Sequence, residues 1–174
     1  MPDSIDVSPR YVRRARQLAT RRNQSFEDDD NWDNDAKTYG VEAKERNFRG
    51  LMGELAFGEY ADLTVDTEEY ERTDGGEDFT MEYEGVSCTF DIKIAQKKPY
   101  ALFVKEGCVG ADYYIQGHLN GQTVNFLGMA ARKDVLSTEL SETPPEYDHR
   151  NYEVPIADLQ PIPEPEALKP IGSN

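Results

Sequence analysis

The sequence predicts one mixed α/β or α+β domain, with one sheet and its main helix packed on it. Three observations carry this. An apolar stripe at three- and four-residue spacing runs through about Val41–Leu63. Residues 86–95 alternate strictly between apolar and polar positions. Two further apolar runs flank Asn120-Gly121, the strongest short-range hairpin signal.

Taken in order, Ser8–Arg22 reads as a helix, with Ser8 as its cap and Pro9 in its first turn. It holds Arg10, Arg13, Arg14, Arg16, Arg21 and Arg22. With Asp3 and Asp6, residues 1–25 carry a net charge of +4, so the other 149 carry −19 against −15 overall. Such a helix either meets phosphates or docks on the protein's own acidic surface. Glu27–Asp35 is an acidic linker. As a calcium loop starting at Asp29 it fails, with Asn34 and Gly40 where Gly and Glu belong.

The main helix follows, with Phe48, Leu51, Met52, Leu55 and Ala56 as its apolar stripe. Gly50, Gly53 and Gly58 each cost about 1 kcal/mol of helix stability relative to Ala. Their small size suits a helix lying close on a sheet. Glu54 stands beside the stripe, as a boundary residue or as a carboxylate aimed at the sheet. A strand ending in a turn near Glu84-Gly85 leads into the alternating strand, in which Val86, Cys88, Phe90, Ile92 and Ile94 face a core. Tyr100–Lys105 is the next strand. The hairpin arms are about Asp112–Leu119 and Gln122–Met129, and Ala131–Ser137 is a short helix. Tyr152–Ile156 is a final edge strand limited by Pro155, and the last dozen residues form an extended Pro-rich tail. The organisation is therefore 1–40, a basic helix and acidic linker; 41–160, the core domain; and 161–174, the tail.

Composition narrows the classes. A net charge of −15 with ten Tyr and seven Phe describes an acidic but folded chain. Lys supplies eight of its 19 basic residues. That balance suits a halophilic setting, where salt screens self-repulsion. No apolar run approaches the ~20 residues needed to span a bilayer, and MPDSIDVSPR has no apolar signal region. The expected location is cytoplasmic, without a membrane partner. Cys88 and Cys108 give no disulfide framework. With His118 and His149 they offer no zinc-ligand spacing, and Cys88 reads as a small core residue.

The chemistry concentrates in 73–96. On the strand 86–95, Asp91 and Lys93 stand on the polar face, and Asp78 lies on the preceding strand within reach of the same spot. Two carboxylates and a lysine converging there suit a divalent metal with a general base or charge stabiliser beside it. The competing reading is an exposed Asp91–Lys93 ion pair on an edge strand, worth at most about 1 kcal/mol.

A helix bearing GLMGELAF, then GGEDF, a turn and FDIKIA resembles the PD-(D/E)xK nuclease superfamily, over roughly residues 49–136. The resemblance implies an α/β (α+β) restriction-endonuclease-like core, a central mixed sheet flanked by helices, and a Mg²⁺ site in which Mn²⁺ can substitute. Asp78, Asp91 and the Ile92 carbonyl would hold the ion, and Glu54 would reach it directly or through water. Lys93 would orient or help deprotonate the attacking water and stabilise developing charge. Gln96 would touch the site or a phosphate. The middle acid of the D-x-K is Asp, and Glu77 rather than Pro precedes Asp78. Gln96 and Tyr100 match a Gln-x-x-x-Tyr spacing of one nuclease branch, but Pro99 opposes the helix that would carry it.

The expected function is Mg²⁺-dependent hydrolysis of DNA phosphodiesters in repair, recombination, restriction or viral DNA processing. Arg10, Arg13, Arg14 and Gln96, with Arg132-Lys133, are the candidate DNA contacts, and a homodimer is compatible with the sequence. The alternative is a nuclease-like fold without catalysis, serving as a DNA-binding or protein-interaction module.

Overall fold

A computed structural model of the chain describes residues 3–27, 36–62, 79–141 and 150–171. In order these form β1 (Asp3–Asp6), α1 (Pro9–Glu27), α2 (Ala36–Tyr60), β2 (Phe79–Tyr83), β3 (Val86–Ala95), β4 (Ala101–Lys105), β5 (Tyr113–Asn120), β6 (Thr123–Ala131), α3 (Arg132–Leu136), β7 (Leu140–Ser141), β8 (Asn151–Pro155) and β9 (Leu168–Pro170). Among the described residues no helix is long and apolar enough to cross a membrane.

The strands make a six-stranded sheet, ordered β1-β6-β5-β3-β2-β9, and a three-stranded sheet, β4-β8-β7. Only β3 and β5 run parallel among these pairs. A parallel pair needs a crossover of a dozen or more residues, usually a helix. Here the crossover is 96–112, and it carries β4 into the second sheet.

Two cores lie on the two faces of the large sheet. The larger gathers Leu18 of α1, Leu51, Met52, Leu55 and Phe57 of α2, and Met81, Phe90, Ile92, Ile115 and Phe126 of the sheet. Every position of the expected helical stripe is buried there. The smaller core joins Tyr114 and Ala130, from the other face, to Leu102, Val104, Val135 and Val154.

The approach of α2 to β3 has a specific cause. A Cβ on Gly53 would lie 2.1 Å from Ile94 Cγ1, and one on Gly117 would lie 2.6 Å from Ile94 Cδ1. Ile94 thus fills a slot between two glycines, one on the helix and one on β5. Gly50 has open space around its Cβ position, so close packing accounts for Gly53 and not for Gly50.

Several expectations change. The fold has two sheets rather than one. β8 is the middle strand of the second sheet, not an edge, and its Pro155 stands at the strand's last position opposite Ala101. The tail is extended but not detached: Leu168–Pro170 pairs with β2, and Tyr60 donates a hydrogen bond to the Pro163 carbonyl at 3.0 Å. β1 was not anticipated, because DSID offers one apolar residue, Ile5, to a sheet face. Val86 is 61% exposed, since β3 begins beyond the core. The hairpin turn is shifted by one: Asn120 pairs with Thr123, leaving Gly121-Gln122 as the loop. The β2–β3 turn falls at Glu84-Gly85 as expected, with φ of +53° and +78°. Two positive values in a two-residue loop match the twist of the flanking strands.

Candidate functional site

β3 pairs with β2 over Val86–Phe90 and with β5 over Phe90–Ala95. Its alternation puts Cys88, Phe90 and Ile92 in the larger core. Thr89, Asp91 and Lys93 therefore share the opposite face. Tyr114 and Gln116 stand beside Asp91 and Lys93 on β5, and both are buried.

Lys93 Nζ lies 2.9 Å from Asp91 Oδ2; the lysine side chain is 40% exposed and the aspartate 15%. The two predicted residues are brought together on the part of β3 that pairs with β5, beyond the last described β2 pair, Phe79 opposite Phe90. Gln116 Nε2 donates to the Lys93 carbonyl at 3.2 Å and to the Gly117 carbonyl at 2.8 Å. This buried amide fixes the backbone under Lys93 where the β5–β6 register slips between Gln116 and Gly117. Burial holds the Tyr114 hydroxyl above its ordinary pKa, with the Asp91 charge adding to the effect. That hydroxyl accepts from Ala111 N at 3.1 Å and donates to the Cys108 carbonyl at 3.4 Å.

Glu54 sits on α2 next to Gly53, which abuts Ile92 and Ile94 on the other side of β3. It is half-buried, with Oε2 shielded from solvent. Asp78, with Glu77, lies outside the described residues, as do His149 and the acidic segment 28–35. Among the described residues no three carboxylate, imidazole or thiol groups cluster as a metal site. The donor set at hand, carboxylates with a backbone carbonyl, is the hard-oxygen chemistry that Mg²⁺ and Mn²⁺ take. The residues present fit such an ion in kind.

Sequence reasoning missed a groove. A concavity of about 650 Å³ opens beside Lys93. Its walls hold four cations (Arg49, Lys93, Lys97, Lys98), two aromatics (Tyr100, Phe103) and two amides (Gln96, Gln116). None of the described residues lining it is acidic, in a chain of net charge −15. Three of the eight lysines fall within 93–98. That local density in a lysine-poor sequence was the available signal. Gln96 and Tyr100 both line the groove from a non-helical loop, 96–100. The Gln96 carbonyl also lies 3.2 Å from His118 Nε2, so His118 has a local structural partner.

The other expected DNA contacts fare differently. Arg16 of α1 is spent inside the molecule, 2.6 Å from Glu45 Oε1 and stacked 3.6 Å over the Phe48 ring. Arg10 lies over Tyr11 at 5.8 Å. Arg13 is exposed and Arg14 half-buried. None of these lines the groove. Arg132 is paired with Asp112. That carboxylate also accepts from Thr89 N at 2.9 Å and Thr89 Oγ1 at 3.1 Å. The Thr89 amide, with help from Arg132, holds Asp112 below the usual carboxylate range.

No protein-family model matches the chain, and no curated protein or solved structure is significantly similar to it.

Proposed function

We propose that this protein is a divalent-metal-dependent nuclease that hydrolyses DNA phosphodiesters. One observation carries the reading: the Asp91–Lys93 pair opens onto a groove lined by cations and aromatics. Lys93 belongs to both. A backbone phosphate drawn in by Arg49, Lys97 and Lys98 would thus be led towards a carboxylate and an ammonium. The helix packed on a central mixed sheet agrees with the restriction-endonuclease-like core that the sequence resemblance implies.

Asp91, Glu54 and the Ile92 carbonyl, with Asp78, would hold Mg²⁺ or Mn²⁺. When bound, such an ion acidifies its water and neutralises phosphoryl oxygens. Lys93 carries three N–H donors. Held by Asp91, its ammonium presents positive charge where negative charge develops on the phosphate, a contribution that grows as water is excluded. Gln116 anchors the strand backbone, so Lys93 is positioned before substrate arrives. Gln96, at the groove wall, is placed to donate to a phosphate oxygen or a base edge.

Calorimetry with Mn²⁺ tests the site. The reading expects one or two ions bound by the parent protein and weakened binding in Asp91→Ala. Cleavage should require Mg²⁺ or Mn²⁺ and persist in molar KCl, because the acidic surface is then screened. Protein that leaves single-stranded, double-stranded and branched DNA intact under those conditions overturns it.

A second reading rests on the ion pair itself. Lys93 neutralises Asp91 at 2.9 Å, so the same groove can serve a nucleic-acid-binding module without catalysis. That module would bind DNA, bind no Mn²⁺ in a manner sensitive to Asp91, and cut nothing.

A further inference from the structure

Tyr100 and Phe103 are left out of both hydrophobic cores, at 74% and 36% exposure. Their rings pack edge to face, 5.3 Å apart at 90°, and the Tyr100 hydroxyl reaches Glu153 Oε1 at 3.5 Å. A phosphate-binding groove does not need them. Large aromatic faces held in water forgo the gain of burial unless something covers them. The adjoining chain is Gln96-Lys97-Lys98-Pro99. Pro99 fixes its own φ and biases Lys98 towards an extended backbone, so this strip loses little freedom on binding.

Cations that follow a backbone, beside aromatic rings, form the platform that single strands use: phosphates meet the charges and unpaired bases stack on the rings. We propose that the groove takes single-stranded nucleic acid, with an unpaired base against Tyr100 and Phe103 and the flanking phosphates on Lys97, Lys98 and Arg49. This rests on the nuclease reading, because the same strand would continue to Lys93 and Asp91. Duplex fits poorly because its bases are stacked on one another and present their faces only after unpairing.

The test is fluorescence anisotropy in EDTA, where no cutting occurs, with a labelled oligothymidine of about 12 nucleotides and the matching duplex. The single strand should bind at least about tenfold more tightly. Tyr100→Ala should weaken it by roughly tenfold, the scale of one lost stacked base, and Phe103→Ala by less. Lys97→Ala with Lys98→Ala should lower the slope of log affinity against log salt by about 1.4, two single-strand phosphate contacts. Lys169→Ala, on β9, should change nothing. Circular dichroism confirms folding of each variant. Four results overturn the inference: equal binding of strand and duplex; both aromatic variants binding like the parent; thymidine monophosphate competing as well as the strand; or self-association removed by Tyr100→Ala with no oligonucleotide bound. Adding Mg²⁺ to the same samples separates the two ideas. Cutting without strand preference sinks the inference and leaves the nuclease, while strand-selective binding without cutting sinks the nuclease.

Discussion

Asp112 and Asp91 serve the same polar side of β3, yet their surroundings differ. Asp112 is held by the Thr89 amide, the Thr89 hydroxyl and Arg132, and Thr89 Oγ1 in turn accepts from the Asp112 amide at 2.9 Å. This closed set of neutral donors and one guanidinium ties the loop before β5 to β3. Asp91 contacts an ammonium whose side chain is 40% exposed and lines a groove. The lesson is that a D-x-K pattern becomes informative through what surrounds it. A carboxylate saturated by fixed donors holds structure, and one sharing its charge with a lysine beside a groove is available for chemistry.

The first way to break this contrast is to remove Lys93. Lys93→Ala should lower metal-dependent cleavage by about 10²–10⁴-fold, the scale of a lost charge-stabilising or proton-handling group. The urea midpoint should fall as well, because Asp91 is only 15% exposed and loses its counter-charge. Full cleavage by folded Lys93→Ala would recast the pair as structural.

Next in size is the slot that sets β3 against α2. Gly53→Ala would gain about 1 kcal/mol of helix propensity. Its new methyl would meet Ile94 at 2.1 Å, and overpacking of this kind costs about 1–3 kcal/mol. The second effect should win, giving net destabilisation by urea unfolding. Ile94→Ala, which removes both Cγ1 and Cδ1, should cost less in this background than in the parent. Additive losses would show that the two side chains do not compete.

Asp112→Ala should cost about 1 kcal/mol, because the part-buried Thr89 amide and Arg132 lose their acceptor. Cleavage measured below the melting temperature should stay at the parent level. The pH dependence follows from the lowered pKa of Asp112. A depressed carboxylate contributes stability that is fully present above its ordinary range, near pH 4, and that is lost as pH falls through the lowered value. Acid unfolding of the parent below about pH 4 should therefore be steeper than that of Asp112→Asn. Equal acid limbs would remove Asp112 from the account. The smallest expected change is Tyr100→Phe: it loses the 3.5 Å contact with Glu153 but keeps the ring face, so strand affinity should shift by less than about twofold.

These contrasts also explain what could be read beforehand. The period-two pattern of 86–95 was enough to put Asp91 and Lys93 on one face, because a strand leaves its side chains two faces only. The apolar stripe from Phe48 to Ala56 placed α2 on the sheet for a similar reason. The second sheet was hidden. β7 is two residues long, β8 ends in a proline, and neither shows periodicity. β1 and β9 were hidden because short polar or Pro-containing segments become strands only when a partner edge is available to them. The groove joins Arg49 of α2 to loop 96–100 and to Phe103, and no local spacing foretells that meeting. Asp78 lies outside the described residues, so the site stands on Asp91, Lys93 and their surroundings.

The most direct measurement compares Mg²⁺-dependent cleavage of single-stranded DNA by the parent protein, Lys93→Ala and Asp112→Ala, each verified as folded. The account predicts cutting by the parent and by Asp112→Ala, with loss in Lys93→Ala. Equal cutting by the parent and Lys93→Ala, or no cutting by any of the three, would contradict it.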